Sequence, residues 1–229
     1  MGIWPINPRL DAPASATLIW VKNNSTTDAI VLQARIFSWS QKDNSDSYDA
    51  QDELVVSPPM IEVKPGAQQM FRIVNRAGAI QDMPREKSFR VLLDEIPNIN
   101  AKNGPVLNFQ MRYSLPLFVG KSPLQSKSSS AQLKSIEQGL SYKIVGDANP
   151  AIEINNNNPW HVRLSSVKVA NADSAAEQFQ LSEGLLGYVL PSSVKRWPIT
   201  REQLAALRKK NAMVIFQQEQ QELTIAGEK

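Results

Sequence analysis

The stretch Val106–Val119, which reads VLNFQMRYSLPLFV, has the period of a β-strand. Its odd positions are all apolar or aromatic: Leu107, Phe109, Met111, Tyr113, Leu115 and Leu117. Successive side chains on a strand point to opposite faces, so this pattern predicts one strand with an entirely apolar face. The strand is about twice the usual length, which is more than a small sandwich needs for its own core. An ordinary core strand remains the alternative.

Shorter β-type segments precede this strand and are separated by turn residues. They are Thr17–Lys22, Ile30–Trp39, Glu53–Val56, Gln69–Asn75 and Phe89–Ile96. Lys64-Pro65-Gly66-Ala67 suits a type II turn, with proline and glycine at its central positions. Short strands at this spacing predict an antiparallel sandwich of immunoglobulin type over residues 1–121.

A polar, serine-rich stretch, Lys121–Ser130, predicts a linker at 122–130 and a second domain at 131–229. One helix is predicted there, because Thr200 and Gln203 match a capping box and are followed by Leu204 and Leu207. The remaining segments are strand-like: Leu140–Val145, Ala151–Asn155, His161–Val169, Gly187–Leu190, Ala212–Gln217 and Glu222–Ile225. The sequence therefore predicts an all-β chain of two sandwich domains, with one short helix in the second.

The composition excludes several classes of function. The 229 residues are 42% hydrophobic, carry a net charge of +3 and include no cysteine, which excludes disulfides, thiolate catalysis and cysteine-based metal sites. The single histidine, His161, stands without a catalytic motif, and the acidic loop 42–52 lacks the glycine and glutamate of a calcium loop. We expect no catalytic residue, metal or cofactor. The dispersed charge argues against nucleic acid, and no apolar run is long enough for a membrane span.

Four motifs resemble the periplasmic chaperones that assemble bacterial pili, the PapD-like superfamily. They are Ile3–Leu10 (IWPINPRL), Ser57-Pro58-Pro59 with Val63, Pro65-Gly66, Gln69 and Arg72, Ser88–Pro97 (SFRVLLDEIP) and Phe109–Phe118 (FQMRYSLPLF). Gly187–Leu190 in the second domain agrees with them. The pairing of IWP with RYSLPLF is similar to the archaic, Csu-type branch of the chaperone–usher systems.

The resemblance implies two immunoglobulin-like domains set at an angle with a cleft between them, and a chaperone without enzymatic activity. It also implies a periplasmic location, with a signal peptide removed, and delivery of pilus subunits to an outer-membrane usher. The long strand would complete the open sandwich of a subunit by donor-strand complementation. The predicted subunit-binding residues are Leu107, Phe109, Met111, Tyr113 and Leu115. Free chaperone is expected to cover this apolar strand by self-association.

The basic pair that holds the subunit's terminal carboxylate in better-studied relatives does not transfer to this chain. Ungapped alignment places Pro116 and Asn7 at those positions. The predicted anchor is therefore Arg90, which interrupts an apolar strand, helped by Arg112 or Arg9, since an arginine fork binds both carboxylate oxygens. A solvated surface arginine is the alternative for each.

Two other functions compete with the chaperone. An extracellular immunoglobulin-like adhesin or pilus component would carry an exposed ligand pocket, and a hydrolase would need His161 beside a nucleophile. By the same resemblance, Arg72 and Glu86 are expected to be structural charge partners.

Overall fold

The computed structural model describes residues 1–78, 80–97, 110–121, 129–171, 174–218 and 220–228. The chain divides into two compact units. The first unit consists of Met1–Trp39, Tyr48–Met83 and Lys87–Lys121. The second consists of Ser40–Ser47, Pro84–Glu86 and Ser122–Lys229, so two short segments from the first half of the sequence belong to it.

Two sheets build the first unit. A four-stranded sheet has the order β1-β3-β8-β6, formed by β1 (Gly2–Trp4), β3 (Ala16–Lys22), β6 (Leu54–Ser57) and β8 (Gln68–Asn75). A six-stranded sheet has the order β2-β10-β9-β4-β5, with β7 paired to β4. Its strands are β2 (Arg9–Leu10), β4 (Ile30–Lys42), β5 (Ser45–Asp49), β7 (Met60–Val63), β9 (Lys87–Ile96) and β10 (Arg112–Val119).

Alternating side chains from the two sheets form the core of the first unit. β3 and β8 contribute Ile19, Val21, Phe71 and Ile73, and the facing sheet contributes Leu32, Phe89, Val91, Leu93, Leu115 and Leu117. The type II turn predicted before β8 is present, since Gly66 has a φ of 69° and the N–H of Ala67 donates to the carbonyl of Lys64 at 3.0 Å. Two sheets that face each other across one core form the sandwich predicted from the strand pattern.

The second unit is built on a seven-stranded sheet with the order β14-β13-β16-β17-β11-β12-β15. Its strands are β11 (Leu140–Val145), β12 (Ala151–Asn156), β13 (Val162–Asn171), β14 (Ser174–Val189), β15 (Ser193–Pro198), β16 (Ala212–Gln218) and β17 (Gln221–Gly227). The sheet folds back on itself, because Gly187 of β14 lies against the indole of Trp197 in β15. A separate core cluster that includes Phe216 and Ile154 fills its interior.

The described part of the second unit contains two α-helices rather than the single helix predicted. The predicted one is α2 (Arg201–Leu207), with Thr200 and Gln203 forming the expected capping box. The other is α1 (Ser130–Gln138), capped in the same way by Ser129 and Gln132. The serine-rich composition before α1 suggested a linker, but a serine placed three residues before a glutamine is also a helix start signal. Neither helix is long and apolar enough to cross a membrane, and no other described helix is either.

Candidate functional site

One edge of strand β10 is largely unpaired among the described strands, and we call it the open edge. On one side the strand pairs with β9 along its whole length. On the other side, the pairing seen among the described strands is with β2, at Phe118 and Val119 only. From Arg112 to Leu117 no described strand lies beside this edge.

The direction of the backbone groups shows what this edge offers. The N–H of Glu95 donates to the carbonyl of Met111 at 3.0 Å, so the odd residues of β10 bond to β9. The even residues, Arg112 and Ser114 among them, therefore point their N–H and C=O groups away from β9. The N–H of Gly120 follows the same alternation and donates to Leu10 at 3.1 Å. An additional strand could pair with this edge.

Pro116 also faces the open edge, by the same alternation. Proline has no N–H, so it is tolerated where no ladder partner needs one. Its position opposite Arg90 of β9 breaks no bond to that strand. Arg112 and Ser114 are therefore the residues that offer both an N–H and a C=O group to an additional strand, whereas Pro116 offers only a C=O group.

The apolar face of β10 is divided between core and solvent. Leu115 and Leu117 are buried at 8% and 0% exposure and belong to the core cluster, and Tyr113 packs against that cluster. Met111 is 48% exposed. Leu107 and Phe109 lie outside the described residues. Of the residues predicted to bind a subunit, Leu115 therefore serves the core of the protein itself.

The regular strand is shorter than predicted over its described part. It begins at Arg112, while Gln110 and Met111 precede it without strand geometry. β9 continues past this point to Ile96, and the carbonyl of Met111 still accepts the N–H of Glu95. The apolar alternation in the sequence therefore extends beyond the regular part of β10.

The three candidate arginines lie on one face of the six-stranded sheet. Arg90 is opposite Pro116, Arg112 is opposite Asp94, and Arg9 is opposite Phe118. Residues directly opposite each other share a face, and all of these alternate with the core residues of β9 and β10. We call this side, which points away from the core cluster, the outer face.

Arg112 and Arg35 both bind Asp94. The Nε of Arg112 donates to Oδ1 of Asp94, and the Nη2 of Arg35 donates to Oδ2 at 2.7 Å. Burial raises the pKa of the Asp94 carboxyl, but the hydrogen bonds from Arg112 and Arg35 lower it more, so its pKa lies below the ordinary 3.8. Asp94 is thus an ionised link between three neighbouring strands. Neither Asp94 nor Arg35 was predicted as a site residue, although Asp94 is a conspicuous charge within the apolar run of β9.

The other two arginines differ in their surroundings. Arg9 donates to the carboxylate of Asp11 at 3.2 and 3.3 Å. The guanidinium of Arg90 stacks on the ring of Trp39, with 3.8 Å between Cζ and the ring centroid. Such stacking holds the planar fork in a fixed orientation.

A groove of about 290 Å³ on the outer face brings Arg90 and Arg112 together. Six described residues line it: Phe37, Tyr48, Arg90, Leu92, Arg112 and Ser114. None of these six carries a carboxylate, so the groove is apolar with guanidinium groups.

His161 has a structural role in the second unit. Its backbone N–H donates to Oε1 of Glu86 at 3.0 Å, and its Nδ1 lies 2.6 Å from the same oxygen. Both residues are buried, so Glu86 and His161 satisfy each other's polar groups inside the structure. Across the described residues, no cluster of histidine and acidic side chains could hold a metal ion.

Comparison with known families shows which family the chain belongs to. Residues 9–123 match the family model of pili and flagellar-assembly chaperones, PapD N-terminal domain. The chain belongs to this family of chaperones. The match decides between the chaperone and the adhesin or hydrolase considered above, because members of the family are periplasmic chaperones without enzymatic activity.

Solved chaperone structures extend the similarity over the whole chain. The chaperone in the CsuC–CsuE chaperone–tip adhesion subunit pre-assembly complex, from the archaic Csu pili of Acinetobacter baumannii, is 26% identical with a TM-score of 0.71, covering 99% of this chain and 98% of the other. The CupB2 chaperone of Pseudomonas aeruginosa shares the fold at 19% identity and a TM-score of 0.58, with 97% of both chains covered. A comparison with curated protein sequences found no match.

A third structure shows the same fold in another complex of this family. The Salmonella enterica SafA pilin in complex with the SafB chaperone contains a chain 17% identical to this chaperone, with a TM-score of 0.63 and coverage of 98% and 95%. At that identity the likeness concerns the fold alone. The predicted resemblance to pilus chaperones, including the Csu-type branch, is confirmed by these comparisons.

Proposed function

We propose that this chaperone binds pilus subunits by donor-strand complementation along the open edge of β10 and delivers them to an outer-membrane usher in the periplasm. The observation that carries the proposal is the edge itself, with backbone groups of Arg112 and Ser114 that point away from β9. Backbone hydrogen bonds give such pairing its generic affinity, and side chains at alternate positions give it specificity.

The side chains proposed to enter the subunit lie before the core-bound half of the strand. Met111 is exposed, and Tyr113 is only partly buried. Leu107 and Phe109 continue the same apolar period and are proposed from the sequence alone. Each such side chain buried in a subunit contributes roughly 1.5–3 kcal/mol, before the ordering cost of association.

A charge placed at Met111 tests this proposal. Met111→Glu is expected to leave the chaperone folded and to abolish capture of a subunit in a pull-down, because a carboxylate would enter an apolar groove. Met60→Glu is the matched control, since Met60 is 49% exposed on β7. Equal capture by Met111→Glu and Met60→Glu would contradict the proposal.

The backbone contribution can be tested separately at Ser114. Ser114→Pro removes an N–H that points to the open edge and leaves the ladder with β9 intact. We expect weaker capture by a folded protein. Capture at the level of the original chain would show that the edge does not pair with the subunit.

We propose Arg90 as the main anchor of the subunit's terminal carboxylate. Arg90 interrupts the apolar run of β9, and its stacking on Trp39 holds the planar guanidinium fork in a fixed orientation that suits a carboxylate. Anchoring sets the register, and a slip of one residue would turn every apolar side chain to the wrong face. Arg90→Ala should lower capture more than Arg201→Ala, a change at an exposed residue of α2.

Amidating the subunit's carboxyl terminus separates the candidates for the anchor. The amide should weaken binding to the original chaperone and change little for Arg90→Ala. If both proteins respond equally, the anchor is Arg9 or Arg112.

The free chaperone is proposed to cover the same edge by self-association, so sedimentation should show larger species that dissociate when subunit is added. A strictly monomeric protein at high concentration would contradict this last point.

A further inference from the structure

The four-stranded sheet of the first unit carries a row of aromatic and apolar side chains on the side away from the core. Trp4, Trp20 and Met70 are direct partners across β1, β3 and β8, and residues directly opposite each other share a face. Ile19 and Val21, which alternate with Trp20 along β3, are fully buried in the core. The row therefore points outward, and we call this side of the four-stranded sheet the indole face.

The row is open to solvent. Trp4 is 41% exposed and Met70 is 42% exposed. The rings of Trp4 and Trp20 are nearly parallel, at 9°, with 6.4 Å between their centroids. Leu18, two residues before Trp20, is half-buried, and Val55 of β6 is 38% exposed on the same side. Contiguous exposed apolar side chains of this kind are typical of an interaction surface.

A cation lies on each side of the row. Lys22 is two residues beyond Trp20 on β3, and Arg72 is two residues beyond Met70 on β8. The register places Lys22 and Arg72 at opposite sides of the row, each about 7 Å along its strand from it. Both are exposed, and no outward residue of the four strands is acidic. The indole face therefore complements an anionic partner.

We infer that the indole face adsorbs the chaperone to an anionic phospholipid surface, with the two indoles at headgroup depth and Lys22 and Arg72 against lipid phosphates. Indole rings have an apolar body and a polar N–H group, which suits the boundary between headgroups and acyl chains. Cations beside an anionic lipid surface add electrostatic attraction. This inference does not depend on how a subunit is bound.

The sheet can lie on a lipid surface without exposing unpaired backbone to it. β3 and β8 each have a strand on both sides, so their N–H and C=O groups are used within the sheet and only their side chains need to enter the headgroup layer. A second copy of the chain fits this face less well. Two indole faces in contact would bring the cations of one copy against those of the other.

Vesicle sedimentation tests the inference on the whole chaperone. The probes are vesicles of phosphatidylcholine alone and vesicles of phosphatidylcholine mixed with phosphatidylglycerol. The anionic vesicles are expected to bind at least about tenfold more tightly, and this advantage should shrink at high salt. Brominated phospholipids should quench the tryptophan fluorescence of the bound protein, and Trp4→Phe, which keeps an aromatic ring, should bind while losing part of the quenched signal.

Matched variants assign binding to the indole face. Arg72→Gln should weaken binding to anionic vesicles about fivefold, whereas Arg201→Gln, at an exposed position of α2, should not. Trp4→Ala should weaken binding roughly tenfold, whereas Phe179→Ala, at a 37% exposed aromatic residue of β14, should not. Met70→Glu provides a second test within the row, because a carboxylate among the rings should abolish binding. A thermal melt checks that each variant is folded.

Several outcomes would overturn the inference. Equal binding to neutral and anionic vesicles would remove the role of the two cations, and equal binding by Trp4→Ala and Phe179→Ala would place the contact elsewhere. Binding to soluble polyglutamate without binding to vesicles would assign the indole face to an acidic protein instead. Dimers that Met70→Glu dissociates, again without vesicle binding, would assign it to a second copy of the chain.

Discussion

Leu115 in β10 and Met111 just before it belong to the same apolar alternation, yet the structure predicts opposite consequences when each is changed to alanine. Leu115 is 8% exposed in the core, whereas Met111 is 48% exposed. Truncating a buried leucine costs roughly 2–5 kcal/mol through lost burial and a residual cavity. Met111→Ala removes a side chain that is half in solvent, so the expected cost is within about 1 kcal/mol.

Urea unfolding can measure this difference. With an m-value of roughly 1.5 kcal/mol/M, Leu115→Ala should move the midpoint of the first unit down by about 1–3 M. The two units need not unfold together, so hydrogen exchange of the β9 amides is the appropriate local probe. Met111→Ala should keep the midpoint and weaken subunit capture. A Leu115→Ala protein as stable as the original chain and unable to capture subunit would refute the division of the strand.

Three further outcomes are expected. Asp94→Asn should lower stability by about 1 kcal/mol, a modest value because Arg35 and Arg112 are more than a third exposed and screened by solvent. Because the pKa of Asp94 is lowered, the stability that its carboxylate contributes is fully present above the ordinary pKa of 3.8 and is lost as the pH falls through the lowered pKa. The stability difference between Asp94→Asn and the original chain, measured by urea unfolding, should therefore shrink in acid. Gly187→Ala should destabilise the second unit by about 1–3 kcal/mol in a thermal melt, because the added Cβ would lie 2.9 Å from Cζ2 of Trp197.

Periodicity predicted most strands of the fold, because side-chain alternation is written directly in the sequence. Leu140–Val145 has the predicted bounds, and Thr200 caps α2 as its capping box indicates. The strands without alternating apolar residues were missed. β5 (SDSYD) is exposed throughout, and β15 (SVKRWP) buries none of its residues fully, so their pairing partners determine them and their own composition does not.

The candidate site was predicted only in part, for a related reason. The sequence identified an apolar face and three arginines, and the structure places those arginines on one outer face. Which apolar residues are free to bind depends on what lies across the sandwich, and Leu115 is held by the core. The bonds from Arg35 and Arg112 to Asp94 join residues up to 59 positions apart in sequence, a proximity that no local pattern contains.

The division of β10 also separates two kinds of evolutionary constraint. Leu115 and Leu117 are buried and stabilise the chaperone itself. A destabilising change at either position lowers the binding of every subunit equally, so it is removed by selection. Met111, which is 48% exposed, is under no such requirement. Relatives that serve different subunits are therefore expected to diverge more at Met111 than at Leu115 or Leu117, and a new client specificity could arise there without loss of the fold.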